Sequence, residues 1–173
     1  GVRRPFVAAL TRAGRLDPSW SGDGLLSHGV PGATSAELDA IARHGDGRIV
    51  VAGRATVNGV ERAFVARYTP QGNLDTSFSA DGMRTVLVRR TVNGTTVTAS
   101  NVRANDVAVD NPRGRIILAG SATYPGLPSA GDQIALTVSL RMSDGAVDTT
   151  WAGGVRHVNL ATGDDVANAI AVQ

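Results

Sequence analysis

The feature that most constrains this chain is that it repeats itself. The phrase "GRLDPSWSGDG" at 14–24 returns as "GNLDTSFSADG" at 72–82 and as "GAVDTTWAGG" at 145–154. Its opening glycines, Gly14, Gly72 and Gly145, stand 58 and 73 residues apart. A second phrase recurs beside it: "LDAIARHGDGRIVVAG" (38–53) matches "NDVAVDNPRGRIILAG" (105–120), and "NAIAVQ" (168–173) begins a third copy. A third element, "FVAAL" (6–10), "FVARY" (64–68) and "IALTVSL" (134–140), precedes the first phrase each time. Such a period limits the fold to stacked copies of one supersecondary unit, because each unit is too small to bury its apolar faces alone.

Each copy reads as β-strands. "LDAIARH" and "RIVVAGR" are apolar runs separated by Gly45-Asp46-Gly47, a hairpin signal. The matching turn in the next copy is "NPRG" (111–114). "AFVARYT" runs into a turn at Pro70-Gln71-Gly72, and "GMRTVLV" (82–88) supplies another strand, while the "VNG" turns at 57–59 and 92–94 read as hairpin tips. Four strands in roughly 60 to 70 residues, repeated in tandem, describe the blade of a β-propeller. The expected class is therefore all-β, with about three blades of four antiparallel strands in one segment, 1–173, of a partial propeller. The copies span approximately 1–53, 54–120 and 121–173. The stretches "RRTVNGTTVTASN" (89–101) and "TYPGLPSAGD" (123–132) read as loops on the blade rims. Roughly 11 strands are expected, one short of three blades, so the chain reads as part of a longer propeller or as a subunit that closes with other copies.

Within the repeated phrase, Trp20, Phe78 and Trp151 hold one slot. One large ring per copy suits the wedge between neighbouring blades. Asp17, Asp75 and Asp148, three residues earlier, are placed to accept backbone N–H bonds in the turn. The phrase is most simply a structural corner.

The pattern "DGRIVVAG … FVARYTPQGNLDTSFSADG" resembles the delta-60 repeat, a bacterial β-propeller repeat of unknown function. The matching residues are Asp46-Gly47-Arg48-Ile49-Val50-Val51-Ala52-Gly53 and Gly72-Asn73-Leu74-Asp75-Thr76-Ser77-Phe78. The third copy departs from it, with Val147 where the family has Leu and no second phrase after Gln173. The resemblance implies a propeller fold and a secreted or surface-displayed bacterial setting. It brings no catalytic residues.

Composition narrows the function classes. Hydrophobic residues are 42% and charged residues 18%, a globular balance. No apolar run approaches the roughly 20 residues that span a bilayer, so membrane insertion is not expected. Cysteine is absent, which excludes disulfides and thiolate metal sites. All 17 basic residues are Arg, yet the net charge is only +2, which gives little electrostatic basis for binding nucleic acid. Arg3-Arg4 and Arg89-Arg90 are adjacent pairs, neither interleaved with aromatics.

Calcium is the one cofactor the phrase invites. Asp17 with Asp23, or Asp75 with Asp81, brings hard oxygen ligands to one loop. The spacing is not that of an EF-hand, and Gly153 replaces the second Asp in the third copy, so turns are favoured over a metal and no cofactor is expected. His28, His44 and His157 fall at different places in the repeat, His28 and His157 one position out of register in equivalent strands, which argues against a convergent site. No G-x-S-x-G elbow is present. These readings predict a non-enzymatic structural or adhesive module, outside the cell or on its surface. Its partners would be the remainder of a longer propeller or other copies of itself. The alternatives are a carbohydrate-binding, lectin-like segment, with Trp20 and Trp151 stacking on a glycan, and a subunit that self-assembles into a filament or ring.

Overall fold

The phrase "RIVVAG" is apolar at successive positions rather than at alternate ones, the pattern of a strand covered on both faces. In the computed structural model, which describes residues 3–92, 94–125, 133–160 and 163–173, it becomes such a strand. The described residues hold no helix and twelve strands. These are β1 (Phe6–Ala8), β2 (Leu25–Ser27), β3 (Ala33–Arg43), β4 (Ile49–Val57), β5 (Val60–Tyr68) and β6 (Met83–Val86). They continue with β7 (Arg89–Val92), β8 (Thr95–Thr98), β9 (Asn101–Asp110), β10 (Arg115–Thr123), β11 (Gln133–Arg141) and β12 (Val155–Val158).

Two complete four-stranded antiparallel meanders result, β3-β4-β5-β6 and β9-β10-β11-β12, with a two-stranded sheet β1-β2 before them. The second phrase supplies β4 and β10, each paired on both sides. Side chains alternate across β4. Val50 and Ala52 therefore enter one core with Leu118, Leu136 and Phe78, while Val51 and Ala55 enter another with Val7 and Leu26. Sheet β3–β6 is thus the middle layer of a stack, with β1-β2 on one face and β9–β12 on the other. These are propeller-type blades in an all-β chain.

The glycine ending this phrase has a steric cause. Opposite Gly53 and Gly120 the first strand of each sheet bulges, between Leu38 and Ala40 and between Ala104 and Asp106. A Cβ on Gly53 would lie 2.1 Å from the Glu37 carbonyl oxygen, and one on Gly120 would lie 1.9 Å from that of Arg103. The hairpin signals hold: Asn58 and Gly59, both at positive φ, close β4 onto β5, and His44 closes on Arg48 between β3 and β4.

Three expectations need correction. The stretch 89–101 is not a plain loop: "RRTV" and "TTVT" pair as β7 and β8, because alternating Thr and Val favour an extended ladder. Its base is buried at Val88 and Ala99. The stretch 123–132 is only partly described, but its Tyr124 is buried rather than displayed on a rim. Finally, 168–173 forms no strand, so of the 11 expected strands one is lost while β7 and β8 are added, and the described residues hold twelve.

That last segment nevertheless sits where a first strand belongs. The Gln133 amide donates to Asp164 Oδ1 at 2.7 Å, as the equivalent Glu61 amide donates to Asn101 Oδ1 at 3.3 Å. Asn105 Nδ2 donates to the Ala167 carbonyl, and the Ile170 amide donates to Asp106 Oδ2. It lies against the second sheet as β9 lies against the first, without the ladder bonds that define a strand.

Candidate functional site

The repeated corner is built three times on one plan. Asp17, Asp75 and Asp148 each accept, through Oδ1, the backbone amide of the residue two positions on, at 3.0, 3.1 and 3.1 Å. The same oxygen accepts the hydroxyl of Ser19, Ser77 or Thr150, at 2.6 Å in every copy. The amides of Trp20, Phe78 and Trp151 then donate to the carbonyl of the corner Asp. These bonds to the ionised form hold all three carboxyls below their ordinary range. The Ser19 hydroxyl leads at Asp17 and the Thr150 hydroxyl at Asp148. At Asp75 burial pushes upward most strongly, but Ser77 and the Arg67 charge together outweigh it.

The ring explains the opening glycine. A Cβ on Gly72 would lie 2.7 Å from Trp20 Cδ2, and one on Gly145 would lie 2.7 Å from Phe78 Cζ. Each ring therefore lies flush against the backbone of the next copy's corner. The Ser21 amide reinforces the first of these contacts by donating to the Gln71 carbonyl at 2.8 Å. Between the turns of the two complete sheets, the Gly45 amide donates to Asn111 Oδ1 at 2.9 Å. Trp20 and Phe78 are buried, whereas Trp151 is half-buried.

The middle corner contains a residue the repeat does not announce. Arg67 on β5 is 2% exposed. Its Nε donates to Asp75 Oδ2 at 2.8 Å, its Nη2 donates to Ser77 Oγ at 2.9 Å, and its Nη1 donates to the Met142 carbonyl of the next sheet. Its guanidinium carbon lies 4.9 Å from the centroid of the Phe78 ring. Arg48, ahead of β4, also reaches Asp75 Oδ2, at 3.2 Å. At the next corner the corresponding Arg115 donates to Asp148 Oδ2 at 2.6 Å and to Thr150 Oγ1 at 3.2 Å. The positions matching Arg67 are Ala9 and Ser139, and the Ser139 hydroxyl is buried without a partner. Because its counterparts are Ala and Ser, comparison of the copies does not flag Arg67. An Arg following the apolar run "AFVA" near the end of β5 is the sequence signal.

Each calcium candidate uses one oxygen to close its own turn. Asp23 Oδ1 accepts the Leu25 amide at 2.8 Å and Asp81 Oδ1 accepts the Met83 amide at 2.9 Å, each closing its own turn. Both oxygens of Asp75 are occupied, by Ser77 on one side and by Arg67 and Arg48 on the other. Among the described residues no three His, Asp or Glu side chains gather as a metal site.

The histidines lie in separate places. His28 Nε2 meets the Tyr68 hydroxyl at 2.8 Å, His157 Nε2 meets that of Tyr124 at 2.5 Å, and His44 Nδ1 lies 2.6 Å from Asp46 Oδ1. Burial lowers the pKa of His28 and of His157, the latter aided by the Arg90 charge, and pushes both tyrosines up to about 12.

The arginines do more than coat a surface. Along one rim Arg3 pairs with Glu37 at 2.5 Å, and Arg54 pairs with Glu37 and with Asp39, the latter at 3.0 Å. Arg103 pairs with Glu61 across the two complete sheets. Burial raises the pKa of Asp39 despite the Arg54 charge. Beside this chain of charges a polar cleft of about 210 Å³ is lined by Glu61, Asn101, Arg103, Ser121 and Gln133. Its side chains bond one another, as in Ser121 Oγ to Gln133 Oε1 at 2.8 Å, so the cleft presents no ordered set of unpaired donors.

Residues 44–78, from the turn between β3 and β4 to the ring of the middle corner, match the family model described as a domain of unknown function (DUF5122) beta-propeller. No curated protein matches the chain.

Proposed function

We propose that this chain is a non-enzymatic scaffold, a run of delta-60-type propeller blades in a secreted or surface-displayed bacterial protein, with a structural or adhesive role. The observation that carries this reading is how the most strongly repeated polar group is used. Every corner Asp serves its own turn, and two of the three also hold an Arg of their own sheet. A reactive site would leave such groups facing a cavity. A rigid stack of sheets is what these contacts supply, and a stack can display rim loops or link other parts of a protein.

Carbohydrate binding is the second reading, favoured by one observation: Trp151 is half-buried where its counterparts are buried. A glycan array, followed by titration of tryptophan fluorescence, separates the two. The scaffold reading expects no retained glycan and no saturable change in emission. A saturable change that disappears in Trp151→Ala would replace the scaffold with a lectin-like module.

A further inference from the structure

The β7-β8 hairpin is a part that the repeat itself lacks. It leaves the first complete sheet at Val88 and returns toward β9 at Ala99, and both residues are buried in the core between the two complete sheets. The Ala99 amide donates to the Val88 carbonyl at 3.0 Å and closes the root of the hairpin. From β5, Arg62 Nη1 donates to the Ala99 carbonyl at 3.2 Å, and the Ser100 amide donates to the Thr123 carbonyl of β10 at 2.8 Å. The hairpin is thus rooted in both sheets and lies at their junction.

Its two faces differ. Arg89, Thr91, Thr96 and Thr98, which pair across one face, are exposed, whereas Arg90 and its partner Val97 on the other face are half-buried. Val97 packs against the junction core. The Arg90 charge acts on both Tyr124 and His157, which meet at 2.5 Å. Yet among the described residues Arg90 has neither a hydrogen bond nor an ion pair. A half-buried guanidinium without an anion is costly to hold. No acidic residue on β6, β7, β8 or β12 offsets it. Of the nearby charges, Arg156 points to the opposite face of β12 from His157 by alternation. The Arg84 charge acts on Asp144, which Arg141 already holds.

The other junction supplies the comparison. Counted from Gly24 and Gly82, Val30 and Pro31 hold the places of Val88 and Arg89, and no hairpin follows them. A hollow of about 270 Å³, lined by Val30, Pro31, Met83 and Thr85 among others, is left there. That junction stacks without a strap, so the second junction does not need a closed strap to hold its sheets together.

We propose that the β7-β8 hairpin is a proton-operated strap over the junction of the two complete sheets, closed while His157 is neutral and released when His157 gains a proton. In the closed form the Tyr124 hydroxyl donates to the unprotonated Nε2 of His157. Protonation turns both ring nitrogens into donors and sets a second cation beside Arg90. Lifting the hairpin returns both charges to water. Burial first, and the Arg90 charge second, keep the pKa of His157 below its ordinary value while the hairpin is closed. The released form therefore binds the proton more readily, so closure is fully present above about pH 6.5 and is lost as pH falls below it.

Amide exchange over β7 and β8, corrected for the intrinsic rate, reads the strap between about pH 7.5 and about pH 5. Protection should fall by up to about tenfold per pH unit below about pH 6.5, with exchange faster than in β4 and β10 throughout. His157→Phe should remove this dependence, Arg90→Gln should reduce it, and His28→Phe, at the other junction, should leave it in place. Protection of the hairpin that does not change with pH would overturn the proposal. So would an unaltered response in His157→Phe or, should that variant fail to fold, in Arg90→Gln. Hairpin amides that exchange no faster than those of β4 and β10 at about pH 5 would also overturn it, because only unfolding of the whole chain would then be seen.

Discussion

A guanidinium carried into an apolar core loses its water, and Arg67 is accommodated there by three acceptors and the face of a ring. Two of those acceptors belong to its own corner and one to the next sheet, so a single side chain ties local turn geometry to the stacking of sheets. At this scale the sequence was legible wherever a residue recurs: the corner Asp and the ring could be assigned positions from the repeat alone. Arg67 and the Tyr-His pairs occur at sites whose counterparts differ, and only the folded chain brings Tyr124 to His157. The same residues set how stability responds to acid. His28 and His157 have pKa values lowered by burial, so the unfolded chain binds protons first as pH falls. Stability should decline once pH drops below about 6.5, the ordinary His value. The lowered carboxyls of Asp17, Asp75 and Asp148 act in the same direction further down, contributing fully above the ordinary carboxylate range and losing that contribution below about pH 4. Urea midpoints measured from pH 8 to pH 3 should therefore show two declines, and the double variant His28→Phe and His157→Phe should lack the upper one. A single decline near pH 4 in the original chain would contradict the role given to the histidines.

Between elements, what matters is that a turn of one sheet is shaped by a ring from the sheet before it. Gly14 and Gly145 have similar backbones, with φ of +74° and +68°, yet a Cβ on Gly14 would meet nothing within 4 Å while one on Gly145 would strike Phe78 at 2.7 Å. Gly14→Ala should thus cost about 1 kcal/mol, from the left-handed conformation alone. Gly145→Ala should cost at least about 2 kcal/mol more, because a packed aromatic must also move. Urea unfolding of the two variants checks the difference, and equal losses would mean that the ring is not a real constraint. The element scale also shows where sequence matching slips. The phrases 38–53 and 105–120 align residue for residue in β4 and β10, but β3 and β9 differ by one, because Leu38 faces Gly53 whereas Ala104, not Asn105, faces Gly120. Six residues separate Val109 from its partner Ile116, against five between Arg43 and its partner Ile49, and this extra residue at the hairpin end absorbs the difference without altering an apolar pattern. The β7-β8 hairpin was legible only in the "VNG" at 92–94, and its flanking strands read as loop, because an insertion beside a repeat has no counterpart against which its ladder can be recognised.

In the whole molecule, the sheets are stacked layers whose cores lie between them rather than within them. That arrangement followed from the repeat period and from the doubly covered phrase, since β4 and β10 need apolar partners on both faces. The segment 163–173 follows the same logic, holding the place of a first strand by side-chain and carbonyl contacts alone. If the corners join neighbouring layers, damage to a ring must be felt across the interface and not only in the sheet that carries it. Amide hydrogen exchange, compared between the chain and its Phe78→Ala variant, tests this most directly. The expected result is faster exchange at the Gly145 turn and at Met142 and Ser139 in the neighbouring sheet, with the outer pair β1-β2 unchanged. Faster exchange confined to β5, β6 and the turn around Phe78 would contradict the account, because the ring would then be a local filler and not the joint between blades.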